Sequence, residues 1–94
     1  MGKKVTVELT GPARIQAGRK EVITTVEDDA TWRDVVAALA QALPVLVGKA
    51  ITEDRRDLIG SYLLNVGGRR TVYDFDEKAQ IEEGDLLSLL EETC

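Results

Sequence analysis

Ala30-Thr31-Trp32-Arg33-Asp34-Val35-Val36-Ala37-Ala38-Leu39-Ala40-Gln41-Ala42-Leu43-Pro44 is the stretch from which the rest of the chain can be read. Thr31 has the character of a helix N-cap, whose hydroxyl accepts an amide proton from the first turn. Asp34 falls where a negative charge meets the positive end of the helix dipole. Trp32, Val35, Val36, Leu39 and Leu43 recur at helical spacing, and the intervening alanines have high helix propensity. Pro44 ends the pattern, because it lacks the N–H and clashes with the preceding turn. One amphipathic helix of about three turns follows.

Outward from this helix the period changes from 3.6 to 2. On the N-terminal side Val5, Val7 and Leu9 alternate with Thr6, Glu8 and Thr10, as in a strand with one buried face. Gly11-Pro12 breaks the alternation and the stretch through Gly18 reads as a continuing turn. The β-rich run Glu21 to Val26 then returns as the second strand of a hairpin. On the C-terminal side Val45 to Gly60 is aperiodic and reads as a loop with a short helical turn. Tyr62, Leu64 and Val66 resume the alternation, Gly67-Gly68 supplies a tight turn, and Arg69 to Tyr73 returns. Ile81-Glu82-Glu83-Gly84-Asp85 turns the chain into a last, strongly apolar strand, Leu86 to Leu90. Leu86, Leu87, Leu89 and Leu90 are too apolar for a strand with one wet face, so either both faces are covered or one meets a partner. The order β-β-α-β-β-β predicts an α+β fold of the ubiquitin-like β-grasp type, a mixed sheet with one main helix packed across one face.

The 94 residues make room for a single domain, 1–94, with one modest core. The hydrophobic share of 44% and charged share of 31% are those of a folded protein. No apolar run approaches the roughly 20 residues that span a bilayer, and the N-terminus shows no signal-peptide segment. No membrane partner and a cytoplasmic location are expected. With no histidine and one cysteine, neither a zinc site nor a Ser-His or Cys-His pair can be assembled within the chain. No carboxylate spacing points to a dyad or a cation site, so neither catalytic residues, a metal nor a cofactor are expected. The net charge of −5 is uneven: up to Lys20 five basic residues stand against Glu8, and from Asp74 onward eight acids stand against Lys78. Net acidity argues against nucleic acid as a partner. The acidic end reads either as a solvated face or as a device steering the tail towards a basic partner.

Three of these stretches carry a family resemblance. Ala30 to Val36 followed by Leu39 resembles the start of the helix in the MoaD/ThiS group of sulfur-carrier proteins, where a Thr cap leads into a T-V-x-D-L pattern. Ile81 to Leu86 resembles that group's L-x-D-G-D-x-V turn into the last strand, and Pro44-Val45-Leu46 its P-x-L after the helix. The resemblance implies a carrier or ubiquitin-like modifier acting through its C-terminal tail. An E1-like enzyme adenylates the terminal carboxylate, sulfur displaces the AMP, and a sulfur-accepting enzyme receives the product. The family's tail ends in Gly-Gly, which threads a narrow channel because it has no Cβ atoms. Here the residues are Leu90-Glu91-Glu92-Thr93-Cys94, and Gly67-Gly68 reads as a hairpin turn.

The site expectations follow from that comparison. Cys94 is the candidate for tail attachment or sulfur, through its thiol or its carboxylate, although Glu91 and Glu92 would raise its thiol pKa. The alternative for Cys94 is a terminal thiol with no duty. Thr93, Glu92, Glu91, Leu87 and Leu89 are candidate partner contacts. The competing function is a non-covalent β-grasp accessory subunit of a larger enzyme or secretion complex, which needs no tail chemistry. Trp32 is expected in the core.

Overall fold

The computed structural model describes residues 2–60, 62–67 and 70–91. The elements are β1 (Gly2–Leu9), α1 (Gly11–Ala17), β2 (Glu21–Glu27), α2 (Trp32–Ala42), a 3₁₀ turn (Pro44–Leu46), β3 (Tyr62–Val66), β4 (Arg70–Val72) and β5 (Leu86–Glu91). The strands form one five-stranded sheet in the order β2-β1-β5-β3-β4. β5 runs parallel to β1 and antiparallel to β3, and the other pairs are antiparallel. This is the expected mixed sheet with the last strand at its centre.

Alternation divides the sheet cleanly. Val5, Val7, Leu9, Val22, Val26, Leu64, Val66, Val72, Leu87 and Leu89 are buried on one face. Trp32, Val35, Val36, Leu39 and Ala40 of α2 pack with them in one core. The start of α2 is fixed by a reciprocal capping box. The Asp34 N–H donates to Thr31 Oγ1 at 3.4 Å, and the Thr31 N–H donates to Asp34 Oδ2 at 3.0 Å. The next two amides, of Trp32 and Arg33, donate to the carbonyls of Glu77 and Phe75 at 3.1 and 3.0 Å. The amides that a helix start leaves without intrahelical partners are thus tied to the segment before β5. Trp32 is 1% exposed, and the Arg70 guanidinium lies 5.9 Å from its ring centroid.

One element departs from the sequence expectation. Residues 11–17 form the short helix α1, where a turn was expected. Pro12 falls in the first helical turn, where its fixed φ is compatible with helix and its missing N–H costs nothing. Gly18 closes the helix in the left-handed region at φ 70°, its N–H donating to the Arg14 carbonyl at 2.9 Å. Fully buried Ala13 anchors the helix to the core. Gly67 adopts φ 58° after β3, whereas Gly68 lies outside the described residues.

The turn that launches β5 is built against β1. Gly84 sits at φ 84°, its N–H donating to the Lys4 carbonyl at 2.8 Å. The Glu82 N–H donates to Asp85 Oδ2 at 2.9 Å, the Lys4 N–H reaches both Glu83 carboxylate oxygens at 3.2 Å, and the Thr6 N–H donates to the Asp85 carbonyl at 3.0 Å. The Gly-Asp turn and the strand register are therefore one hydrogen-bonded unit.

Candidate functional site: the outer sheet face and the end of β5

β5 is apolar on both faces, and the two faces have different fates. Leu87 and Leu89 are 0% exposed and sit beneath α2. As partner contacts these two positions are corrected: docking would require opening the core. Leu86 is 42% exposed, and Leu90 and Ser88 are half-buried, all on the opposite face. Of these three, Leu86 is the most exposed.

The register shows what stands beside them. Leu90 is opposite Leu63, Leu86 is opposite Thr6, and Thr6 is opposite Ile23, which is 62% exposed. Between these two apolar rows runs a polar one: Glu8 beside Ser88, Ser88 beside Asn65, and Asn65 beside Thr71. Asn65 Nδ2 donates to Thr71 Oγ1 at 3.3 Å, while its Oδ1 is buried with no partner among the described residues. The sequence signal for this face was the doubled apolar pattern of β5. Ile23 and Leu63 carried no signal beyond ordinary β-propensity.

β5 delivers the chain to one end of the sheet. Glu91 is the last described residue and pairs with Tyr62, whose phenol pKa is raised by burial and by the Glu91 charge. At the same end Leu9 pairs with Leu89, the Thr10 hydroxyl donates to the Leu89 carbonyl at 3.0 Å, and α1 packs against β5. Glu92, Thr93 and Cys94, the other tail candidates, lie outside the described residues.

The acids of the C-terminal third are dispersed. Glu83 and Asp85 serve the turn at the opposite end of β5, and Asp74 Oδ1 accepts from the Asp76 N–H at 3.0 Å. Asp76 takes the Arg33 guanidinium at 2.6 Å, which lowers its pKa and raises that of Arg33. Arg33 also reaches the Arg56 carbonyl at 3.1 Å, and Arg56 reaches Asp34 at 3.3 Å. Asp54, held by the Thr52 hydroxyl and the Arg56 N–H, has a lowered pKa as well. These contacts clamp residues 52–57 and 74–77 onto the first turn of α2. No group of three or more Asp, Glu, His or Cys among the described residues is placed to hold a metal, and no described helix is long and apolar enough to cross a membrane.

No protein-family profile matches the chain, and no curated protein matches it by sequence. Solved structures do match in fold. Small archaeal modifier protein 1 of Haloferax volcanii superimposes with a TM-score of 0.79 at 25% identity, over 98% of this chain and 100% of that one. A Pyrococcus furiosus protein proposed as molybdopterin converting factor subunit 1 gives 0.70 at 20% identity, over 97% and 99%. The ubiquitin-like domain of PLXNC1 gives 0.66 at 11% identity, over 98% and 100%. The chain has a ubiquitin-like β-grasp fold and resembles the MoaD/ThiS group along almost its whole length.

Proposed function

We propose that this protein is a ubiquitin-like carrier or modifier of the MoaD/ThiS type, presented to an E1-like adenylating enzyme by its outer sheet face and activated at the tail beyond β5. The observation that carries the reading is the position of β5. A central strand, hydrogen-bonded on both sides, leaves the sheet beside a partly exposed apolar surface of Leu63, Leu86 and Leu90. A partner docked there is within reach of whatever follows Glu91. The whole-length match to small archaeal modifier protein 1 supports the same reading.

In this reading the tail residues Glu91, Glu92, Thr93 and Cys94 enter the enzyme extended, and the terminal carboxylate attacks the α-phosphate of ATP to give an acyl-adenylate and pyrophosphate. A sulfur nucleophile or a lysine amine then displaces AMP. In this reading the protein is the substrate of the activating enzyme rather than the catalyst.

The test is intact mass after incubation with an adenylating enzyme, ATP and a sulfur donor. A gain at the C-terminus, as acyl-adenylate or as sulfur, supports the carrier. Absence of any gain, with stable co-purification of a larger enzyme, rejects it in favour of the accessory subunit. Cys94→Ser separates the two tail chemistries: activity that survives assigns the chemistry to the carboxylate, and activity that is lost assigns it to the thiol.

A further inference from the structure

The edge of the sheet at β2 is open and lacks the usual defences. Among the described residues β2 has only β1 beside it. The Leu9 N–H donates to the Lys20 carbonyl at 2.7 Å, which sets the phase of the ladder. Val22, Thr24 and Val26 therefore turn their backbone groups towards β1, and Glu21, Ile23, Thr25 and Glu27 turn theirs outward. Two of the outward carbonyls are taken: that of Glu21 by Arg19 Nε at 2.9 Å and that of Glu27 by the Ala30 N–H at 3.1 Å. Among the described residues the groups of Ile23 and Thr25 remain, an N–H and a C=O each. Natural edges are commonly blocked by Pro, Lys or a bulge, and residues 21–27 contain no Pro or Lys and pair with β1 in unbroken register.

A groove of about 420 Å³ lies beside this edge, between β2 and α2. Its floor is small and apolar, with Val26 and Ala30 from the β2 side and Ala37 and Ala38 from the helix. Its rim is acidic: Glu27 and Asp29 are exposed, and Asp34 stands at the helix end. The two features select an occupant. A second copy pairing antiparallel about Thr24 would set Glu21 against Glu27 at both ends, a like-charge contact that disfavours self-association. A basic strand meets the same acids favourably.

We propose that the β2 edge and the groove behind it bind an extended basic protein segment by strand addition. One apolar side chain of the segment seats on the alanine floor, and flanking Lys or Arg residues face Glu27 and Asp29. The groove is on the helix side of the sheet, so occupying it leaves Leu63, Leu86, Leu90 and the end of β5 uncovered. The site is thus independent of the tail reading.

The test is a ¹⁵N NMR titration of the full chain with the peptide Lys-Arg-Val-Thr-Val-Lys and with its counterpart carrying Glu at each basic position. The basic peptide is expected to shift amides of residues 23–27 and 34–41 and to bind more weakly as salt rises. Glu27→Lys with Asp29→Lys, both exposed positions, should weaken it about tenfold. Thr25→Pro, which removes an outward N–H, should abolish it. Four results would each overturn the proposal: no saturable shifts with the basic peptide, equal binding of the acidic one, shifts centred on Leu63 and Leu90, or an unchanged affinity in the double variant. So would a peptide-free dimer that Thr25→Pro dissociates, since the edge would then belong to a second copy.

Discussion

Replacing Leu89 by alanine removes three carbons from a side chain that the fold leaves with no exposed surface. At about 0.8 kcal/mol per buried carbon the transfer loss is about 2.4 kcal/mol. The strand cannot collapse into the space, because it is hydrogen-bonded to β1 on one side and β3 on the other. A cavity contribution therefore adds to the loss, and the total should be about 3–4 kcal/mol, within the range of buried Leu→Ala changes. A domain of 94 residues has about 5–14 kcal/mol to lose, so the variant folds but melts roughly 12–30 °C lower. Leu86→Ala on the same strand is the internal control. That residue is already 42% exposed, and its truncation should cost about 1 kcal/mol or less. Urea unfolding followed by the fluorescence of the single, buried tryptophan, Trp32, measures both. Equal losses for the two variants, or a larger loss at Leu86, would show that the faces of β5 have been assigned the wrong way round.

Three other outcomes follow from the same geometry. Leu86→Glu with Leu90→Glu should leave the far-UV circular dichroism unchanged yet abolish adenylation by a partner enzyme; adenylation that persists removes the outer face from the docking role. Thr31→Ala breaks the capping box and should cost about 1 kcal/mol, seen as a midpoint shift in urea at unchanged slope; no shift would mean the first turn is held by the Glu77 and Phe75 carbonyls alone. Asp76 is held below the ordinary carboxylate value by Arg33, so its contribution is complete above about pH 4 and is lost as pH falls through its lowered folded value. A carboxyl ¹³C titration should place its midpoint below about 3.9 and return it towards 3.9 in Arg33→Ala; an unmoved midpoint refutes the pairing.

What could be read from the sequence was local. Thr31 and Asp34 are three residues apart and make their bonds within one turn, so the start of α2 was legible from the sequence. The Gly84-Asp85 turn was legible through its local bond, from the Glu82 N–H to Asp85, but not through its bonds to Lys4 and Thr6. Helix α1 was not, because seven residues are too few to show a period and Pro12 and Gly18 signal a turn as readily as a helix start and stop. The faces of β5 were illegible for a different reason. Leu86-Leu87-Ser88-Leu89-Leu90 is nearly symmetric about Ser88, so both alternating sets are apolar and period two cannot choose between them. Only the register with β1 and β3 decides, and register is a long-range property. The acidic C-terminal third could only be counted in the sequence: the groups that two of its acids meet, the Lys4 backbone N–H for Glu83 and the Arg33 guanidinium for Asp76, are distant in sequence.

That symmetry about Ser88 bears on function. A strand with one polar face could occupy an edge or be solvated, but Leu86 and Leu90 keep β5 apolar on its second face as well, Leu86 exposed and Leu90 half-buried. Their exposure has no benefit for folding, since the opposite face already supplies Leu87 and Leu89 to the core. The two rows they begin, Leu86-Thr6-Ile23 and Leu90-Leu63, flank a polar row in which Asn65 Oδ1 lacks a partner among the described residues. Asn65 stands in the middle of that row, its amide N–H donating to Thr71 Oγ1 at 3.3 Å. Apolar rows that stay partly exposed are of the kind that mark interaction surfaces. The strand that displays them is also the strand whose far end leads into the tail. In the proposed function docking and tail placement would both depend on this one strand, and a substitution that shifts β5 by one residue would exchange its two faces while moving the root of the tail.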